Sequence, residues 1–155
     1  MTSLEQTRKL LEEIGPQLNV QGILEVAEDQ WALVYEEQLI VEISHEADRK
    51  CLTFGVELGE PAPEKQLETY QSMLAYSALG DRTGGVRIAL ESPYGCLVQI
   101  LDLFTEDLDG VTLATAIDNF VDTARTWREL LASGGISLSE IEETDEIGPE
   151  AGIRV

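Results

Sequence analysis

The sequence predicts an α+β fold in which helices cover a twisted antiparallel sheet, and three observations carry that prediction. Apolar residues recur at helical spacing near the start and again from Leu113 to Leu131, whereas between Trp31 and Leu58 the period is two. The stretch Met73 to Leu103 joins the end of a helix, a glycine-rich corner and two apolar strands around a tight turn. With no crossover long enough for a parallel strand inside either β-rich stretch, the order reads α-β-β-β-α-β-β-α.

Leu4, Leu11, Ile14 and Leu18 set the first helix, with Ser3 as its cap and Gln6 three residues on; Gly15-Pro16 ends it near Ile14. Trp31, Leu33 and Tyr35, then Leu39, Val41 and Ile43, then Leu52, Phe54, Val56 and Leu58 give three alternating strands. His45 to Lys50 is a polar connection between the last two. Ile23 to Val26 is a further apolar piece for which a short strand and a loop both remain open, and with it which of Ile23, Trp31 and Leu33 would line a groove.

Gly59 to Pro63 is a break, after which Glu64 to Leu79 reads as a helix with Gly80 at its C-terminus. Its apolar arc is wider than one stripe, since Met73, Tyr76 and Leu79 flank Leu67, Tyr70, Leu74 and Ala78, so the helix is expected to be covered on more than one side. Val86, Ile88 and Leu90 share one face of the next strand. Ser92-Pro93-Tyr94-Gly95 turns the chain into the run that starts at Cys96. The last helix, from Asp109 or Thr112 to Leu131, shows a seam of Leu113, Ile117, Phe120, Ala124, Trp127 and Leu131. Residues 1–133 make the domain. Residues 134–155 carry six acidic residues against Arg154 and read as a mobile acidic tail.

At 155 residues the chain is one domain by size, and a globule of that size buries roughly 70% of its unfolded surface. No apolar run reaches the ~20 residues of a membrane span, and the start lacks a basic segment followed by an apolar one, so a cytosolic protein without membrane insertion is expected. Thirty acidic residues stand against ten basic ones, a net charge of -20. Such a surface repels phosphate backbones and anionic lipid, which excludes nucleic acid as a partner and favours a basic or apolar one.

The residues that do chemistry in enzymes are missing their partners. The single histidine, His45, sits in the polar stretch SHEADRK and reads as a solvated loop residue, and no nucleophile elbow, phosphate loop or zinc-binding HExxH occurs. Cys51 and Cys96 lie in separate apolar runs with no neighbouring Cys or His and read as buried, reduced thiols. Paired glutamates such as Glu12-Glu13 and Glu36-Glu37 read as solvated surface. No catalytic residue, metal site or cofactor is expected.

The helix that leads through LGDRTGGVRIAL into a strand, the turn ESPYGC, the helix AIDNFVDTARTWRELL and the element order resemble the class I type III secretion chaperones of the CesT-like (Tir chaperone) family, over roughly Leu4 to Leu131. The resemblance implies a homodimeric secretion-chaperone-like fold in the bacterial cytosol. It implies a partner, the N-terminal segment of a secreted effector, kept extended and delivered to an export apparatus whose ATPase is a further candidate partner. Leu4, Leu11, Trp31, Leu33, Tyr35 and Phe54 are then the expected effector-binding residues, and Tyr70, Met73, Leu74, Val86, Ile88 and Leu90 the expected dimer interface. The alternative is a regulatory protein-binding module of similar outline, YbjN-like or a chaperone that sequesters a regulator.

Overall fold

The computed structural model describes residues 2–93 and 95–136. Nine regular elements follow in order: α1 (Ser3–Ile14), β1 (Gly22–Ala27), β2 (Gln30–Val34), β3 (Ile40–Glu46), β4 (Cys51–Gly59), α2 (Gln66–Ser77), β5 (Arg87–Leu90), β6 (Leu97–Phe104) and α3 (Gly110–Ala132). The six strands form one sheet in the order β1-β2-β3-β4-β6-β5. The α+β class holds, with one strand more than the order read from sequence: Ile23 to Val26 belong to β1, at the edge of the sheet.

The described residues divide into two compact units, residues 2–56 with 100–123 and residues 57–99 with 124–136. In the first, β1 to β4 run antiparallel with Ile23 opposite Leu33, Leu33 opposite Val41, and Ile43 opposite Phe54. This register puts Trp31, Leu33, Val41, Ile43, Leu52 and Phe54 in the core, each at most 4% exposed. The Phe54 and Phe120 rings meet edge to face with centroids 5.7 Å apart, which fixes the first half of α3 on β4. Asp109 caps α3 by accepting the Thr112 N–H at 2.8 Å.

Two local readings are corrected here. The cap of α1 is Thr2, whose hydroxyl accepts the Glu5 N–H at 3.1 Å while the Glu5 carboxylate accepts the Thr2 N–H at 3.0 Å. A carboxylate makes a stronger reciprocal acceptor than the Gln6 amide, so the box closes one residue earlier. His45 is a strand residue, 8% exposed, with Nε2 3.0 Å from Ser3 Oγ. It occupies the next inward position after Val41 and Ile43, and the hydroxyl of Ser3 satisfies the ring that burial would otherwise leave unpaired.

In the second unit, α2 packs on β5. Ser77 Oγ accepts the Ile88 N–H at 2.8 Å and donates to the Ile88 carbonyl at 3.3 Å, so one hydroxyl takes the place of a strand neighbour for β5. Tyr76 and Trp127 meet edge to face at 5.0 Å. The α-helix stops at Ser77 rather than Leu79, loosening into bonds of the i to i+3 kind, and the left-handed turn comes at Gly80 and Gly84 with φ of 56° and 68°. Of the stretch read as a tail, Gly134 to Ile136 are tied down by the bond from the Ala62 N–H to the Gly134 carbonyl and by Thr69; Ser137 to Val155 lie outside the described residues.

Candidate binding groove

Helix α1 presents Leu11 and Ile14 inward, both 2% exposed, and breaks at Gly15-Pro16. A side chain at Gly15 would bring its Cβ to 3.2 Å from Ile23 Cδ1, so glycine there permits the close approach of β1 to the end of α1. Between these elements opens a groove of about 220 Å³ lined by Arg8, Leu11, Glu12, Gly15, Ile23, Glu25 and Trp31. Its floor is aliphatic and indole; its rim is charged. Arg8 crosses from α1 to β1, donating from Nε to Glu25 Oε1 at 3.1 Å and from Nη2 to the Glu28 carbonyl at 3.1 Å.

Two of the expected effector-binding residues, Leu11 and Trp31, line this groove. Leu33 and Phe54 are wholly buried beneath the sheet surface, Tyr35 is 3% exposed, and Leu4 is half-buried on α1 one face-repeat before Leu11. Arg8, Glu12, Gly15 and Glu25 were not read from the sequence. The helix-ending Gly15-Pro16 followed by an apolar strand is the signal in the sequence, since a residue without Cβ lets the Ile23 side chain come close to the end of α1.

A second apolar surface lies on α2, where Leu67 and Leu74 are 71% and 69% exposed and Leu90 of β5 is 38% exposed. Tyr70 is half-buried between them in sequence, its hydroxyl accepting from Gln66 Nε2 at 3.0 Å. Met73, Val86 and Ile88 are buried within the unit, at 2%, 7% and 6% exposure.

Cys51 is buried, but Cys96 is half-buried, and neither forms a disulfide. The Cys96 Sγ donates to Glu91 Oε2 at 3.5 Å, and with Glu57 these three side chains bring their ligating atoms within 4.8 Å of one another. Burial first, then the bond to the Glu91 carboxylate, pushes the Cys96 thiol up to about 11. It is a protonated thiol at neutral pH rather than a nucleophile. Among the described residues no helix is long and apolar enough to cross a membrane.

Similar folds occur in three solved assemblies. A chain of the HopA1-SchA chaperone-effector complex aligns with a TM-score of 0.66 and 18% identity, over 82% of this chain and 96% of that one. A chain of the ExsC-ExsE complex aligns at 0.68 and 16%, over 84% and 97%. The Yersinia pestis type III secretion chaperone SycH in complex with a stable fragment of YscM2 provides a third, at 0.58 and 24%, over 77% and 97%. No curated protein matches the sequence. The family model of the Tir chaperone protein (CesT) family matches residues 9–128, from the groove face of α1 to the last turns of α3, and the chain belongs to that family.

Proposed function

We propose that this chain is a type III secretion chaperone that binds the N-terminal chaperone-binding region of a secreted effector in the cytosol, keeps it non-globular and soluble, and delivers it to the export apparatus without catalysing a reaction. The groove between α1 and β1-β2 carries this reading. It offers an apolar floor of Leu11, Ile23 and Trp31 beside β1, the edge of the sheet among the described residues, which suits an extended segment that contributes both side chains and backbone. Leu33 stands beside Ile23 in the sheet and is buried with Tyr35 and Phe54, so these three serve the floor through the core, and Leu4 lies on α1 seven residues before Leu11. Solved relatives in fold include a chaperone-effector complex, which supports the same use of the scaffold.

The chain acts as a homodimer in this reading. A second copy would cover Leu67, Tyr70, Leu74 and Leu90, whose apolar area is otherwise left to water, while Met73, Val86 and Ile88 brace that surface from inside. The net charge of -20 keeps a loaded dimer soluble and suits basic or apolar client segments. The secretion ATPase would receive the complex.

Affinity capture of the tagged chain from its native host, followed by mass spectrometry, tests the assignment. Recovery of a secreted protein through its N-terminal region is expected, and Ile23→Asp in the groove should lower that recovery at least tenfold. A chain that captures no effector N-terminal fragment from a panel of its own genome rejects it.

A further inference from the structure

Glu57, Cys96 and Glu91 stand side by side across three adjacent strands of the second compact unit, since β6 lies between β4 and β5 in the sheet. Val56 and Leu58 of β4 are buried, and Glu57 between them is exposed. Cys96 comes just before the buried Leu97, and Glu91 closes the turn between β5 and β6 by donating its N–H to the Cys96 carbonyl at 2.9 Å. Alternation along each strand thus turns all three side chains to the face away from the core. Cys96 Sγ lies 3.5 Å from Glu91 Oε2, and the Glu57 carboxylate joins them with every ligating atom within 4.8 Å of the others.

The hydrogen bond accounts for Cys96 and Glu91 but not for Glu57. Its carboxylate sets a second negative charge beside the first in a chain that carries -20, and like charges facing one another across strands oppose pairing. A cation reverses the sign of that contact. Donor chemistry then selects among cations: carboxylates alone suit calcium or magnesium, whereas a thiolate with two carboxylates suits a borderline-soft divalent ion such as zinc. Tetrahedral zinc, with bonds of about 2.3 Å to sulfur and about 2.1 Å to oxygen, needs those two atoms roughly 3.6 Å apart. Cys96 and Glu91 already stand at such a separation, so only the exposed Glu57 side chain has to close, by rotation about its own bonds.

We propose that Glu57, Glu91 and Cys96 form a zinc site on the solvent face of the second unit, with water as the fourth ligand. As the ion binds, the S–H proton leaves to solvent and the sulfur coordinates as thiolate. The ion ties β4, β6 and β5 together at the turn that follows Leu90, and the negative field of the chain concentrates divalent cations around it. The site does not draw on the chaperone reading and is untouched by its failure.

Titration of the full, untagged, metal-free chain with Zn²⁺ by calorimetry tests the site, in an excess of Mg²⁺ and Ca²⁺ that occupies the other surface carboxylates. A single equivalent of Zn²⁺ is expected to bind per chain and to raise the melting temperature, and Cd²⁺ in its place should give a sulfur-to-metal charge-transfer band in the ultraviolet. Cys96→Ser should abolish the band, and Cys96→Ser or Glu57→Gln should each weaken Zn²⁺ binding by about tenfold or more. Glu57→Gln alters only an exposed side chain, so the metal-free variant should melt no lower than the parent. The absence of stoichiometric binding overturns the proposal, as does its loss to excess Mg²⁺ and Ca²⁺, which would mark ordinary carboxylate binding. Full Zn²⁺ affinity in either variant overturns it too, and a band that survives Cys96→Ser would assign the ion to Cys51 instead.

Discussion

Thr69 Oγ1 and the backbone of Ile136 are paired in both directions across 67 positions of sequence: the hydroxyl accepts the Ile136 N–H at 2.9 Å and donates to its carbonyl at 3.5 Å. Thr69 is 0% and Ile136 5% exposed, so neither backbone group has water to turn to. Thr69→Val keeps the shape and removes the partner, and the expected loss is about 1–3 kcal/mol in urea denaturation, with Thr69→Ser restoring most of it. Gly135→Ala should be worse than an ordinary surface change, because its Cβ would sit 2.5 Å from Thr69 Oγ1 at a φ of 129°. A Thr69→Val protein as stable as the parent would show that the segment after α3 does not depend on this pair.

Thiol chemistry provides a second check. With Cys96 raised to about 11 and Cys51 buried, alkylation by iodoacetamide at pH 8 should run roughly 100-fold slower than for an exposed free cysteine and climb until about pH 11. Glu91→Gln removes a charge that opposes the thiolate, so the midpoint of the pH-rate curve should move down while the part due to burial persists. A midpoint in the ordinary thiol range for the unaltered chain contradicts the environment described for Cys96.

The cap of α3 makes stability depend on acid. The backbone bond from Thr112 to the Asp109 carboxylate holds its pKa below the usual range. A depressed folded-state pKa means that the stabilisation is complete above the unfolded carboxylate value and is lost as pH falls through the folded one. Asp109→Ala should therefore lower the melting temperature at pH 7, and the gap between variant and parent should narrow as the pH is taken below the usual carboxylate range. A gap independent of pH would assign the effect to something other than the charged cap.

Placement of the dimer seam turns on exposure. Leu67→Glu with Leu74→Glu, both at positions more than two-thirds exposed, should halve the scattering mass and leave the melting transition of the monomer cooperative. Met73→Glu, at a position 2% exposed, should instead unfold the chain, since an unpaired buried carboxylate is among the most costly substitutions. A dimer that survives the double variant moves the interface elsewhere.

Where the sequence was legible, one face of an element was buried and the other was not. Leu52, Phe54, Val56 and Leu58 alternate with half-buried or exposed neighbours, and the period-two reading of β4 follows directly. β1 has no such contrast: Ile23 is half-buried, Leu24 and Val26 are exposed, and apolar residues standing next to one another on an edge strand leave no alternation to find. His45 keeps the strand period but hides it, because its polar identity matched the turn beside it while a hydroxyl from α1 made burial possible. The groove depends on Gly15 meeting Ile23, and the Glu57, Glu91 and Cys96 group on strands folding back together; neither is a property of any local window.

The terminal position of β1, reached through a two-residue turn at Glu28-Asp29, also bears on how cargo bound in the proposed manner would leave. A polypeptide laid along a free edge is held by a ladder of hydrogen bonds loaded in parallel when the whole segment tries to dissociate at once. Drawn from one end, the same ladder opens rung by rung, and the force at any instant is that of a single pair. If cargo lies along this edge as proposed, the placement would combine tight storage at equilibrium with easy removal under directional tension, and the carrier would not have to unfold first.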